Sequence, residues 1–174
     1  MKEKVILVDE NDKEIGSEEK IKAHKEKKLH RSFSILIYNS KKQLLLQKRA
    51  KEKYHTGGLW TNTCCSHPRP NELLPEATHR RLKEEKGFDC ELKELFSFQY
   101  IAEFDNGLTE NEFNHVFIGR YDGEPNHNPD EVDEWKWMTN EEVITDIKNN
   151  PDRYTPWFKI IMKEYLEELE KNLN

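Results

Sequence analysis

The chain has 174 residues, 34% of them hydrophobic and 36% charged, with a formal net charge of -6. That length suits one domain whose core needs neither disulfides nor a structural metal, and four Trp, eight Phe and six Tyr exclude a disordered chain. The acidic balance argues against nucleic-acid binding by general counterion release, while leaving room for a local cationic pocket that takes an anionic ligand.

Residues 5–8 read as a short buried strand closed by a turn at 9–12. Ser17, ahead of Glu18 and Glu19, reads as the start of a short helical segment, followed by a basic stretch over 20–28 that contains His24. Apolar runs at 33–38 and 43–47, separated by Asn39-Ser40-Lys41-Lys42, predict a hairpin. Gly57-Gly58 marks a loop, residues 60–65 read as extended, and Pro68 and Pro70 break regular structure. Pro75 near a start and Gly87 at an end bracket a helix with Leu74, Ala77 and Leu82 on it. Strands are expected over 92–102, 112–121 and 134–138. The tail over 156–173 has the apolar spacing of one amphipathic helix. With no repeat and no linker, the pattern predicts a single α/β domain over 1–174, its mixed β-sheet sandwiched between helices.

No apolar run approaches a membrane span, and the first residues lack a signal peptide's apolar stretch. The three cysteines, Cys64, Cys65 and Cys90, form no disulfide framework and suit a reducing compartment. The expectation is a cytoplasmic protein with no membrane or nucleic-acid partner, either a monomer or a weak homodimer.

Several segments concentrate reactive groups. Glu110 and Glu112 are two apart, so an extended backbone points both carboxylates the same way. Two such charges repel unless a cation, a shared proton or water separates them. Taken alone, they read more readily as solvated acids following Asp105-Asn106-Gly107. His24, His30 and His67 would make with them a borderline-to-hard metal site if the five converge, which spacing does not establish. Cys64 and Cys65 diverge in extended structure, one toward a core and one toward a pocket, and Cys65 shares a face with His67. The doubled Cys-x-x-Cys of a zinc ribbon is absent. On the expected helix, Arg81 and Glu85 share a face, either as an ordinary ion pair or as a phosphate contact and a metal ligand. Arg49 and Lys53 precede the glycine loop as further candidates to meet an anion.

Glu72 followed, after seven residues, by Arg80-Arg81-Leu82-Lys83-Glu84-Glu85-Lys86-Gly87-Phe88 resembles the Nudix signature, a loop–helix–loop that binds metal diphosphates. Ser66 stands where that signature opens with Gly, and Arg81 replaces a Glu associated with hydrolytic metal binding. Residues 29–34, the run Trp60-Thr61-Asn62-Thr63-Cys64-Cys65-Ser66-His67-Pro68, and Thr109-Glu110-Asn111-Glu112 resemble the type 1 isopentenyl diphosphate isomerases, a branch of that superfamily. Tyr100 and Thr155-Pro156-Trp157 extend the likeness across most of the chain.

The resemblance implies a Nudix-like fold and a metal-dependent 1,3-proton shift on a small-molecule diphosphate substrate, in isoprenoid biosynthesis. It implies His24, His30, His67, Glu110 and Glu112 as ligands of a divalent ion, Mn2+ or Mg2+ with Zn2+ also compatible. Glu85 would hold a second ion, Mg2+, that accompanies the substrate. Cys65 and Glu112, with Tyr100 beside the latter, would be catalytic. Lys20, Arg49, Lys53 and Arg81 would contact the diphosphate and Trp157 the carbocation. A Nudix hydrolase is the nearest alternative, and a metal-binding regulatory module without turnover is an alternative of another kind.

Overall fold

The computed structural model describes residues 2–174. In chain order its elements are β1 (Lys4–Val8), β2 (Glu14–Glu19), α1 (Lys20–Lys25), β3 (His30–Tyr38), β4 (Gln43–Arg49), β5 (Trp60–Thr61) and β6 (Cys64–Ser66). Then follow α2 (Leu74–Lys86), β7 (Leu92–Glu103), β8 (Thr109–Arg120), β9 (Val132–Thr139), α3 (Asn140–Asn149), α4 (Pro156–Glu164) and α5 (Leu166–Lys171). The nine strands form one mixed sheet in which β3 and β8 run parallel and the other named pairs antiparallel.

Because side chains alternate along a strand, the sheet has two separate apolar faces. Leu36, Tyr38, Leu44, Leu46, Val116 and Ile118 pack against Trp157, Phe158, Ile161 and Met162 of α4. Phe33, Ile35, Ile37, Leu45 and Phe117 pack against Ala77 and Leu82 of α2. The single domain with helices on both faces is the architecture expected from the sequence. Among the described residues, no helix is long and apolar enough to cross a membrane.

β3 and β4 meet only at Tyr38 and Leu44 and then splay apart. β6 fills the gap on the β3 side, pairing Cys65 with Ser34. Residues 60–65 are therefore not one extended run, since Asn62 and Thr63 interrupt it. The Thr63 hydroxyl accepts from the Ile37 amide at 2.9 Å and donates to the Leu45 carbonyl at 2.6 Å. It satisfies both strands where their ladder has opened.

Three further expectations are corrected. Ser17 opens no helix; it is paired with Ile6 inside β2, and α1 begins only at Lys20. The tail is two helices rather than one, broken at Tyr165, whose ring stacks on Phe96 at 4.1 Å. α3 lay outside the sequence reading, although Thr139 and Glu142 form a reciprocal capping box at its start.

α2 matches its bracketing residues. Pro75 lies in its first turn and Gly87 ends it with φ 72°. A Cβ at Gly87 would lie 2.7 Å from the Asn126 carbonyl oxygen, so both the backbone angle and the close approach call for glycine.

Candidate active site

Strand register assembles the centre of the site. β3 places His30 beside Glu112, while β7 places Tyr100 opposite Glu112 and Ala102 opposite Glu110. One row across three strands thus carries an imidazole, a carboxylate and a phenol. Glu110 and Glu112 are 3% and 5% exposed, so the solvated-loop reading of these two residues is overturned. The β7–β8 ladder continues to Glu103 and Thr109, which carries both carboxylates into the sheet.

His24 on α1 and His67 just past β6 complete a cluster with His30. The His24–His30, His30–His67 and His24–His67 ring centroids are 4.7, 5.1 and 5.8 Å apart. His24 Nδ1 lies 2.7 Å from the Lys20 carbonyl oxygen, and His30 Nδ1 lies 2.8 Å from that of Lys28. A carbonyl only accepts, so each Nδ1 carries the proton and a neutral ring keeps its lone pair on Nε2. His24 Nε2 is buried without a partner, whereas His30 Nε2 and His67 Nε2 face Glu112 Oε2 at 3.1 and 2.8 Å. One donor atom each from His24, His30, His67 and Glu112 falls within a mutual 4.8 Å. A second set joins His24, His55 and Glu110. Buried lone pairs converging on carboxylates suit a divalent cation of borderline-to-hard character.

The electrostatics agree with that donor set. Burial, and then the Glu112 charge, push the Glu110 carboxyl up to about 8. Burial would also raise Glu112, but His67 and His30 override it and hold Glu112 well below the usual carboxylate range. Burial lowers His24, and it lowers His67 to about 3, so both imidazoles stay neutral, as ligands must. His30 is raised: burial, the largest single influence, lowers it, but the bond to Glu112, the Glu112 and Glu110 charges and the bond to Lys28 together outweigh it. The Tyr100 hydroxyl sits between Glu110 and Glu112; its single proton can serve Glu112 Oε1 at 2.8 Å while it accepts from the protonated Glu110 carboxyl.

A cleft opens beside this cluster, lined by Cys65, His67, Tyr100, Glu110, Glu112 and Trp157 together with Lys20, Arg49, Lys53 and Arg81. Cys64 turns into the core beneath α2, so the two cysteines diverge as their alternation requires. Arg49 Nη1 is 3.6 Å from the Cys65 sulfur, and its guanidinium lies 5.5 Å from the Trp157 ring centre. Burial nonetheless pushes the Cys65 thiol up to about 12, so it keeps its proton near neutrality. Trp157 is fixed by a 3.1 Å bond from its indole nitrogen to Asn62 Oδ1. Glu85 is placed differently from the other carboxylates. It is buried on α2, 2.6 Å from Arg81 Nη2 and outside both His/Glu donor sets, with Oε2 unpaired.

Four contributors escaped the sequence reading. Glu3 pairs with Lys20 at 3.1 Å, while Glu131 pairs with Lys53 and, at 3.4 Å, with Arg81. Tyr54 lies under the Lys20 ammonium at 4.4 Å. His55 reaches Glu110 from the loop between β4 and β5. No motif marks any of them.

Residues 28–158 match the NUDIX domain. The chain is 53% identical over 157 residues to "Isopentenyl-diphosphate Delta-isomerase 2" of Aromatoleum aromaticum, covering 90% of this chain and 83% of the relative. It is 54% identical to "Isopentenyl-diphosphate Delta-isomerase 1" of the same organism, covering 91% and 90%. Among solved structures it resembles DR0079 from Deinococcus radiodurans, with a TM-score of 0.72 at 22% identity over 85% of this chain and 90% of that one. That last likeness concerns fold alone. A NUDIX match across most of the chain, joined to relatives about half identical over nearly their whole length, means that the chain belongs to the isopentenyl-diphosphate Delta-isomerase family within the NUDIX superfamily.

Proposed function

We propose that this protein interconverts isopentenyl and dimethylallyl diphosphates by adding one proton to the carbon skeleton and removing another. The observation that carries this reading is the placement of Cys65 and Glu112. β6 and β8 occupy opposite edges of β3, and both residues line the same cleft. The names of the half-identical relatives supply the substrate class.

An isolated alkene is a very weak base, so protonating it is the demanding step. A proton delivered to the terminal carbon leaves a tertiary cation, and loss of a proton from the neighbouring carbon yields the isomer. Two groups on different sides of the substrate accomplish this without rotation of the intermediate, and they exchange roles in the reverse reaction. Tyr100 holds Glu112 from its own side. Lys20, Arg49, Lys53 and Arg81 anchor the diphosphate and limit the drift that would spoil a short proton transfer. The Trp157 ring offers its face to the cation, and substrate filling the cleft would displace water, which would trap the cation as an alcohol.

His24, His30, His67, Glu110 and Glu112 are assigned as ligands of Mn2+, Mg2+ or Zn2+, and Glu85 as a ligand of the Mg2+ that accompanies the diphosphate. A bound ion supplies fixed positive charge beside Glu112, holding the carboxylate in place and tuning its protonation. In the hydrolytic alternative Arg81 would stand where a metal-binding Glu is expected, and its cationic guanidinium, which pairs with Glu84, Glu85 and Glu131, has no lone pair to give an ion.

Replacing the proposed acid–base pair tests the assignment. Cys65→Ala and Glu112→Gln should each lower the rate of dimethylallyl diphosphate formation by about 10²–10⁴-fold or more. Cys65→Ala should still gain thermal stability from inorganic diphosphate with Mg2+. Near-wild-type turnover by Cys65→Ala would remove that residue from the mechanism.

A further inference from the structure

His55 repeats the arrangement of His24 and His30 from a different part of the chain. Thr56 Oγ1 donates its one proton to the His55 carbonyl at 2.8 Å. That hydroxyl can therefore only accept from His55 Nδ1, which lies 2.9 Å away. The Nδ1 atom carries the proton, and the lone pair sits on Nε2. This Nε2 is buried, faces Glu110 Oε1, and has no aligned hydrogen bond. A lone pair against a carboxyl oxygen, sealed from water, needs either the Glu110 proton or a metal ion between them.

The loop is built to hold the ring there. His55 stacks on Phe104 with centroids 4.9 Å apart. Asn106, in the turn between β7 and β8, donates to the Tyr54 carbonyl at 2.8 Å. Thr56 adopts φ 52°, a left-handed angle that a β-branched residue takes only when its surroundings impose it. A Cβ on Gly57 would come 2.3 Å from the Lys51 carbonyl oxygen, so the loop crosses itself at a point only glycine permits.

From these placements we infer that His55 is a fourth histidine donor to the metal centre, approaching beside Glu110. The inference rests on the metal site proposed above and adds a ligand to it. His24 belongs to both donor sets, yet it has one lone pair to give. The two sets share His24 and so compete for one ion; loading would draw His55 and Glu110 in from their own set to join His30, His67 and Glu112, six protein donors in all. Six protein donors leave such an ion no open position. Its part would be to hold charge and position carboxylates rather than to bind substrate. Four imidazoles also move the preference away from Mg2+ and toward Zn2+, Co2+ or Mn2+.

The test uses metal-stripped full-length protein reloaded with Co2+ alone. Each ligating imidazole contributes one exchangeable, paramagnetically shifted Nδ1–H proton signal. Four such signals at one Co2+ per chain are expected in the wild type, and three in His55→Gln. The variant's Co2+ affinity, measured against a competing chelator, should fall by about tenfold or more, since losing even an outer partner of a ligand costs 10–100-fold. Glutamine keeps a polar group at this position, and circular dichroism of the metal-free variant establishes that it folds. Three signals in both proteins with equal Co2+ affinity would overturn the inference about His55 and leave the centre proposed above standing. Absence of Co2+ binding in the wild type would overturn both.

Discussion

Cys64 and Cys65 are neighbours with opposite surroundings, one sealed under α2 and one facing the cleft. Simple strand alternation anticipates this, and it also pairs Cys65 with His67 and Glu110 with Glu112. Spacing says which residues share a face, but burial depends on a ladder formed with distant residues, which is why the two glutamates read as solvated in isolation. His55 gives no local signal at all, because its partner Glu110 lies far along the chain and the loop between them follows no period. Two outcomes follow at this scale. With its thiol raised to about 12 by burial, Cys65 should be alkylated slowly by iodoacetamide at pH 7, with a rate that climbs through pH 9. Peptide mapping by mass spectrometry checks this, and fast, pH-independent labelling would contradict it. Tyr100→Phe leaves Glu112 Oε1 without its donor and should lower kcat roughly tenfold, the equivalent of about 1.5 kcal/mol for a hydrogen bond to a charged group. Unchanged kcat would show that the phenol does not position the carboxylate.

Most elements were legible because their signals are local. Pro75 and Gly87 bracket α2, and Asn39-Ser40-Lys41-Lys42 separates β3 from β4. Elements set by tertiary pairing were harder to read. Apart from Ile15, β2 consists of Glu, Gly and Ser with little β propensity, and it is held by its pairing with β1. The break at Tyr165 serves its stacking on Phe96, a contact with a strand far upstream. β6 depends on Thr63, whose hydroxyl joins two strands that have parted. Thr63→Val keeps the shape but strands a buried amide and a buried carbonyl, at about 1–3 kcal/mol for each group left unsatisfied. Urea denaturation should show a loss of about 2–6 kcal/mol for the two groups together, with reduced turnover, because Cys65 lies on the strand that Thr63 supports. A variant as stable as the wild type would show that the opened ladder closes without it.

At the scale of the molecule, the sheet gathers α1, β3, β6, β7 and β8 around one buried cluster of imidazoles and carboxylates, and this governs how stability responds to acid. His24, His55 and His67 all have folded values below the ordinary 6.5, so the native state stays neutral where the unfolded chain takes up protons. Their contribution is lost as pH falls below about 6.5, at roughly 1.4 kcal/mol per pH unit for each extra proton on the unfolded chain. Glu110, raised to about 8, and the raised His30 act in the other direction, since the native state holds their protons longer. The three lowered histidines outnumber these two, so metal-free protein should melt at progressively lower temperature from pH 6.5 to 5. The slope should be shallower in His67→Gln, and equal slopes would contradict the assignment of His67 as a buried neutral imidazole. The central claim is that the cleft beside this cluster adds a proton to an alkene and removes another. Incubation with isopentenyl diphosphate and Mg2+ in heavy water, followed by NMR, tests it most directly. The account predicts dimethylallyl diphosphate carrying deuterium with no release of phosphate. Release of phosphate without isomer or carbon-bound deuterium would contradict it.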